Sequence, residues 1–166
     1  MKILKIGEKI LRAKIKQLSK KEIRKPVFRG LVRRMVQTMR RARGVGLAAN
    51  QVGMNRLLMV LECHSNRRYP RRPDFPLQAY VNLKILKFSK KKIKDWEGCL
   101  SIPGYRGLVP RSQKIWIKAL NPTGESVRRA VTGFEARVIQ HEADHLSGRF
   151  YIDRMPDLKT WRHVDE

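Results

Sequence analysis

Within residues 141–145 the sequence reads His141-Glu142-Ala143-Asp144-His145, two imidazoles four positions apart with a carboxylate between them. On a helix, residues at that spacing stand one turn above each other, so both rings can reach one ion, and Glu142 lies where it can take a proton from a water that the ion activates. The bland alternative is a pair of hydrogen-bonded histidines with Glu142 in a salt bridge. It is disfavoured because a carboxylate is seldom buried without a partner or a metal. Metal-assisted hydrolysis is the chemistry implied. Such sites use three protein ligands and keep one position open, so the chain must supply a third. In the extended metalloprotease spacing Gly148 fits, but Tyr151 stands where a third histidine belongs. The candidates are then the downstream Asp153, Asp157, His163, Asp165 and Glu166, or Cys99 in the segment Trp96-Glu97-Gly98-Cys99-Leu100-Ser101-Ile102-Pro103-Gly104. Glycine before the cysteine and a Pro-Gly turn after it let backbone approach another element closely. A lone cysteine is usually a small core residue, and it becomes a ligand candidate only beside the histidine pair.

These groups need a rigid carrier. The spacing predicts a helix from about Gly133 to Leu146, with Thr132 and Glu135 as a capping box and Gly148 as the stop. Phe134, Val138, His141 or Glu142, and His145 fall on one face, so the ligands sit among apolar side chains. A second amphipathic helix, with Val27, Leu31, Met35 and Met39 in one stripe, is expected up to Arg43. Ser19 and Glu22 have capping-box spacing, yet Pro26 would then be internal, so a start nearer Arg24 with Pro26 in the first turn is preferred. Gly44 and Gly46 are expected to end it. Strands are expected at Arg56–Glu62, Ala79–Phe88, Lys114–Leu120 and Ser126–Val131, with a turn at Asn121–Gly124 and a loop over Asn66–Pro76.

The 166 residues suit one catalytic domain covering 1–166, and 42% hydrophobic residues suffice for a core. Against 38 Lys+Arg stand only 14 Asp+Glu, a formal charge of +24 spread along the whole chain. That field attracts polyanions, with RNA, DNA and an anionic membrane surface all candidates on charge alone, unless it reflects only compositional bias. Two cysteines make no disulfide framework, which fits a reducing compartment. No apolar run approaches the ~18 residues of a membrane helix, and the charged N-terminus lacks a signal-peptide core. A cytoplasmic location is expected, with no membrane partner and no specific DNA target.

Three segments together resemble the peptide deformylase family: Gly44-Val45-Gly46-Leu47-Ala48-Ala49-Asn50-Gln51, Glu97-Gly98-Cys99-Leu100-Ser101, and Gln140-His141-Glu142-Ala143-Asp144-His145-Leu146-Ser147-Gly148. Each matches one of the family's signature blocks, in order, and the resemblance runs from about Ile3 to Met155, leaving no room for a transit peptide. It implies an α+β fold, a single compact domain with antiparallel sheets packed around the central H-E-x-x-H helix, plus an N-terminal helix. It implies a hydrolase that removes the N-formyl group from the N-terminal formyl-methionine of newly synthesised polypeptides. Cys99, His141 and His145 become the ligands of one metal per chain, usually ferrous iron, with zinc, nickel or cobalt as alternatives. Glu142 becomes the general base and later acid, while the Gln51 side-chain amide and the Leu100 backbone N–H form the oxyanion hole. Val45 and Gly46 would bind the peptide as an added strand, and Phe134 and Val138 would line the methionine pocket. Formyl-methionyl nascent peptides are the implied partners, and the basic surface makes the ribosome a further one.

The chain departs from the family pattern at Gly7-Glu8-Lys9, where a Gly-Asp-Pro-like turn is common, and at Leu83, where proline is common. Its tail after Arg149 carries Asp153, Asp157, Asp165 and Glu166, which dilute the positive charge that some family members use near the ribosome. Two rival expectations remain: another metallohydrolase built on the same helix, and an RNA-binding module.

Overall fold

Leu58–Cys63 is buried at every position, and it forms the strand (β2) on which the larger sheet is built. The structure, a computed structural model, describes residues 1–64 and 72–165. Continuous burial arises because both faces of β2 are covered. Met59, Leu61 and Cys63 point into a core shared with a helix at Gly133–His145 (α3), while Leu58 and Val60 meet a helix at Pro26–Arg41 (α2). Around β2 runs an antiparallel five-stranded sheet: β1 (Gly46–Ala48) at the edge, then β2, β3 (Phe75–Phe88), β6 (Lys114–Leu120) and β7 (Ser126–Thr132). A second sheet pairs β4 (Lys92–Cys99) with β5 (Ile102–Ser112) and adds a two-residue strand, β8 (Arg162–His163). The helix bearing both histidines is thus held among antiparallel sheets, with α2 on the far side of the larger one.

Several local expectations change. The capping box of Ser19 and Glu22 forms, but it caps a separate one-turn helix, α1 (Lys20–Ile23). Pro26 then opens α2 as its first residue, where its missing N–H is no loss. The residue that turns out of α2 in the left-handed conformation is Arg43 (φ 53) rather than a glycine, and Gly46 belongs to β1. Thr132 precedes α3 without a side-chain cap, and the Glu135 carboxylate accepts from Arg129 at 2.8 Å instead of completing the expected box. Gly148 does take positive φ (71°) just beyond the helix. β3 starts at Phe75, inside the expected loop; residues 65–71 of that loop lie outside the described residues. No helix among the described residues is long and apolar enough to cross a membrane.

Candidate active site

Three elements converge at one end of α3. β1 and the 3-10 turn after it (Ala49–Val52) bring Gly46 and Gln51, the tight turn between β4 and β5 brings Cys99 and Leu100, and α3 brings His141, Glu142 and His145. One ligand atom each from Cys99, His141 and His145 lies within 4.8 Å of the other two. Cys99 Sγ is 3.1 Å from His145 Nε2. Ligand atoms around one tetrahedral ion stand roughly 3–4 Å apart, given bonds of about 2.0–2.3 Å, so the triad fits a divalent metal. Among the described residues the downstream alternatives do not join it: Asp153 pairs with Arg12, and His163 lies on β8 near Asp165, while Glu166 lies outside the described residues.

Electrostatics favour the thiolate form of Cys99. Burial alone would raise the Cys99 thiol, but the adjacent His145 and His141 imidazoles outweigh it and hold the thiol well below its ordinary value. Burial would likewise lower His141, yet hydrogen bonds to Cys99 and Glu97 raise it well above normal. His141 Nδ1 sits 2.9 Å from Glu97 Oε2, which leaves Nε2 to face the site. Glu97 is itself gripped by Arg111 through two contacts of 2.9 Å and by Arg137 at 2.6 Å. Arg111 continues to Asp144 on α3, and Asp144 to Arg154. Asn50 Nδ2 donates to the His145 carbonyl at 2.6 Å, and the Ser101 N–H donates to Cys99 Sγ at 3.3 Å. Glu97, Asn50 and Ser101 lie inside the three signature segments, so the signal for them was present; Arg111 and Arg137 had none.

Glu142 is buried beside the triad, and its Oε2 has no hydrogen-bond partner among the described residues. Burial raises it above the ordinary carboxylate range against the pull of the two imidazoles. An uncompensated buried carboxylate oxygen is costly, and a proton-bearing ligand in the cleft would satisfy it. Gln51 is fixed at both ends of its amide. Its Oε1 accepts from the Ala48 N–H at 2.8 Å, and its Nε2 donates to Ser101 Oγ at 3.1 Å, with Cys99 Sγ 3.7 Å away. Leu100 stands in the turn directly after Cys99, and its carbonyl accepts from Lys5 Nζ at 2.9 Å. Val45 directs its carbonyl to the Glu62 N–H, so it is β2 that occupies that side of the segment. Among the described residues β1 pairs with β2 alone, at one edge of the sheet. The cleft between these groups is walled by Val45, Trp96, Gly98, Phe134 and Val138.

An H-E-x-x-H helix with a thiolate and two imidazoles converging beside an apolar cleft, enclosed by antiparallel sheets, defines a metal-dependent hydrolase. The polypeptide deformylase family model matches residues 1–161, and the chain belongs to the peptide deformylase family, whose established activity is hydrolytic removal of the N-formyl group from nascent chains. A peptide deformylase of Leptospira biflexa is 42% identical over 166 residues, 99% of this chain and 93% of that protein. Peptide deformylase 1 of Bordetella pertussis is 43% identical over 140 residues, 84% of this chain and 80% of its own length. The crystal structure of a class I type b peptide deformylase from Acinetobacter baumannii with Met-Ala-Ser bound superposes with a TM-score of 0.91 at 36% identity, covering 93% of this chain and 98% of that one.

Gly46 is required by close approach. A Cβ there would overlap the Glu142 carboxylate, lying 2.8 Å from Cδ and 2.9 Å from Cγ. Gly46→Ala is therefore expected to displace Glu142 and lower kcat/KM by about 10²-fold, the scale of a misplaced reacting group. Formate-release kinetics beside a thermal melt check this; full activity in the alanine variant would show that Glu142 has room to move without consequence.

Proposed function

We propose that Cys99, His141 and His145 hold one metal ion and that Glu142 moves the proton in deformylation of formyl-methionyl peptides. The observation carrying this is the unpartnered, buried Glu142 oxygen beside three convergent ligand atoms. When bound, the ion acts as a Lewis acid that acidifies water in the cleft and makes hydroxide available near neutral pH. Glu142 takes the proton from that water and returns it to the departing amine; a carboxylate raised above its ordinary range suits both transfers. The Gln51 amide, held by Ala48 and Ser101, and the Leu100 N–H are the donors to the oxygen that gains charge as the formyl carbon becomes tetrahedral. Val45 and Gly46 bind the peptide along the outer edge of β1 as an added strand. Phe134 and Val138 take the methionine side chain, a reading supported by the relative crystallised with Met-Ala-Ser.

Ferrous iron is the proposed native metal because the family resemblance implies it; the mixed thiolate and imidazole set itself suits zinc as well. The proposed setting is the cytoplasm beside the ribosome, where the +24 charge strengthens encounter with RNA. The test is anaerobic formate release from a formyl-methionyl peptide with a metal count. One metal per chain with formate is expected, together with activity lost in air by iron-loaded protein and retained by nickel-loaded protein. Metal without formate would sink the substrate, and air-stable iron-loaded protein would sink iron.

A further inference from the structure

The C-terminal strand reaches back to the cleft wall. β8 pairs with β5 through Tyr105↔His163 and Arg106↔Arg162, so Arg162 stands directly across from Arg106 on the same sheet face. Trp96 pairs with Leu108, and Gly98 with Arg106, which places the indole on that face too. Both guanidiniums lie over this indole, Arg162 at 4.6 Å and Arg106 at 4.9 Å from the ring centroid. Two like charges gathered at one ring repel each other, and the negative π-face of the tryptophan compensates them. Trp96 is half-buried and lines the cleft that also contains Phe134 and Val138.

The strand that delivers Arg162 is itself tied down at several points. Trp161 stacks on Tyr105 with centroids 4.4 Å apart, and it donates its indole N–H to Tyr151 Oη at 3.1 Å. The Tyr151 ring in turn lies nearly parallel to His141, 6.3 Å away. The Val164 N–H donates to the Gly104 carbonyl at 2.8 Å, and Thr160 Oγ1 accepts from the Leu108 N–H at 3.1 Å. Gly104 has positive φ (80°), and a Cβ there would stand 2.8 Å from His163 Nε2, so close approach of β8 depends on it.

We infer that β8 is part of the substrate site: Arg162 clamps the Trp96 indole on the outer face of β4, the strand whose edge walls the cleft, and thereby sets affinity for the peptide, with Trp161 as the positioning residue that seats the strand. The inference rests on the deformylase reading of the cleft. It assigns Arg162 to binding of the substrate and gives it no part in the chemical step, so its loss is read in KM.

The experiment compares the intact protein with Arg162→Ala and Arg162→Lys. It measures anaerobic kinetics on formyl-Met-Ala-Ser and, separately, equilibrium binding of Met-Ala-Ser followed by tryptophan fluorescence. Arg162→Ala is expected to raise KM and the Met-Ala-Ser Kd together by about two- to fivefold, the scale of one exposed cation–π contact, with kcat unchanged. Arg162→Lys, which keeps a cation over the ring, is expected to restore most of both. Unchanged KM and Kd in Arg162→Ala, or a loss confined to kcat, would overturn the clamp. Wild-type protein that binds Met-Ala-Ser but releases no formate would overturn the deformylase assignment, while the titration would still judge the clamp.

Discussion

Glu142→Gln is expected to lower kcat for formate release by about 10²–10⁴-fold while metal content and the thermal midpoint stay near those of the parent. Glutamine fills the same volume beneath Gly46, so packing is kept and only the proposed proton acceptor is lost. The site offers no ready substitute. His141 and His145 face Cys99, Glu97 is engaged by two guanidiniums and His141, and Gln51 holds no transferable proton. Burial favours the neutral variant over the carboxylate, so the glutamine protein should be as stable as the parent or slightly more so. Steady-state kinetics with metal analysis on the same preparation decide the matter. A variant within tenfold of the parent would mean that the proton leaves by another route. A variant without metal would mean that the carboxylate is structural.

The catalytic helix was legible because its two histidines recur at the same period as its apolar residues. Both signals come from one turn of backbone and survive without tertiary information. β2 and β6 were legible for related reasons, one as an unbroken apolar run and the other as strict alternation. The β4–β5 hairpin that carries Cys99 was not. β5 contains Pro103, Gly104, Gly107 and Pro110, residues that mark turns in most sequences. They are tolerated because β8 covers β5 only at Tyr105 and Arg106, which leaves the rest as an edge where a missing N–H costs little. Gly107 is small because Met155 packs against it: a Cβ there would come within 2.6 Å of Met155 Sδ. β8 itself pairs through two residues, too few for any periodicity to announce it. The cap of α1 shows the opposite error. The motif at Ser19 and Glu22 was genuine and Pro26 opens α2 in its first turn as expected, but the separate one-turn helix that the motif caps went unread.

The buried ion network was the least legible part of the site, and it carries the second large expected effect. The partners of Glu97 lie 14, 40 and 44 residues from it along the chain, and each charge is tolerable only because the others are folded against it. Glu97 is the centre, accepting from Arg111, Arg137 and His141 at once. Burial alone would raise its pKa, but Arg111 and His141 outweigh that and hold it far below the ordinary carboxylate range. Glu97→Ala would leave the buried Arg137 guanidinium without a carboxylate and Arg111 with Asp144 alone, at a cost of about 3–5 kcal/mol. For a protein of this size each kcal/mol lowers Tm by about 2–4 °C, so a fall of roughly 6–20 °C is expected. His141 would also lose the acceptor that orients it, and metal affinity is expected to drop by about 10–100-fold.

The pH dependence follows from the sign of the Glu97 shift. A carboxyl whose folded pKa is depressed stabilises fully above its unfolded value, and that stability is lost as pH falls through and below the carboxylate range. The parent should therefore lose stability steeply in acid, and Glu97→Ala should start lower at neutral pH and fall less. Thermal melts of both proteins between neutral and acid pH, with metal titrations at neutral pH, measure the two effects independently. Parallel pH profiles would show that Glu97 is not the group through which acid unfolds the network. Unchanged metal affinity would show that His141 keeps its orientation from the packing of α3 alone.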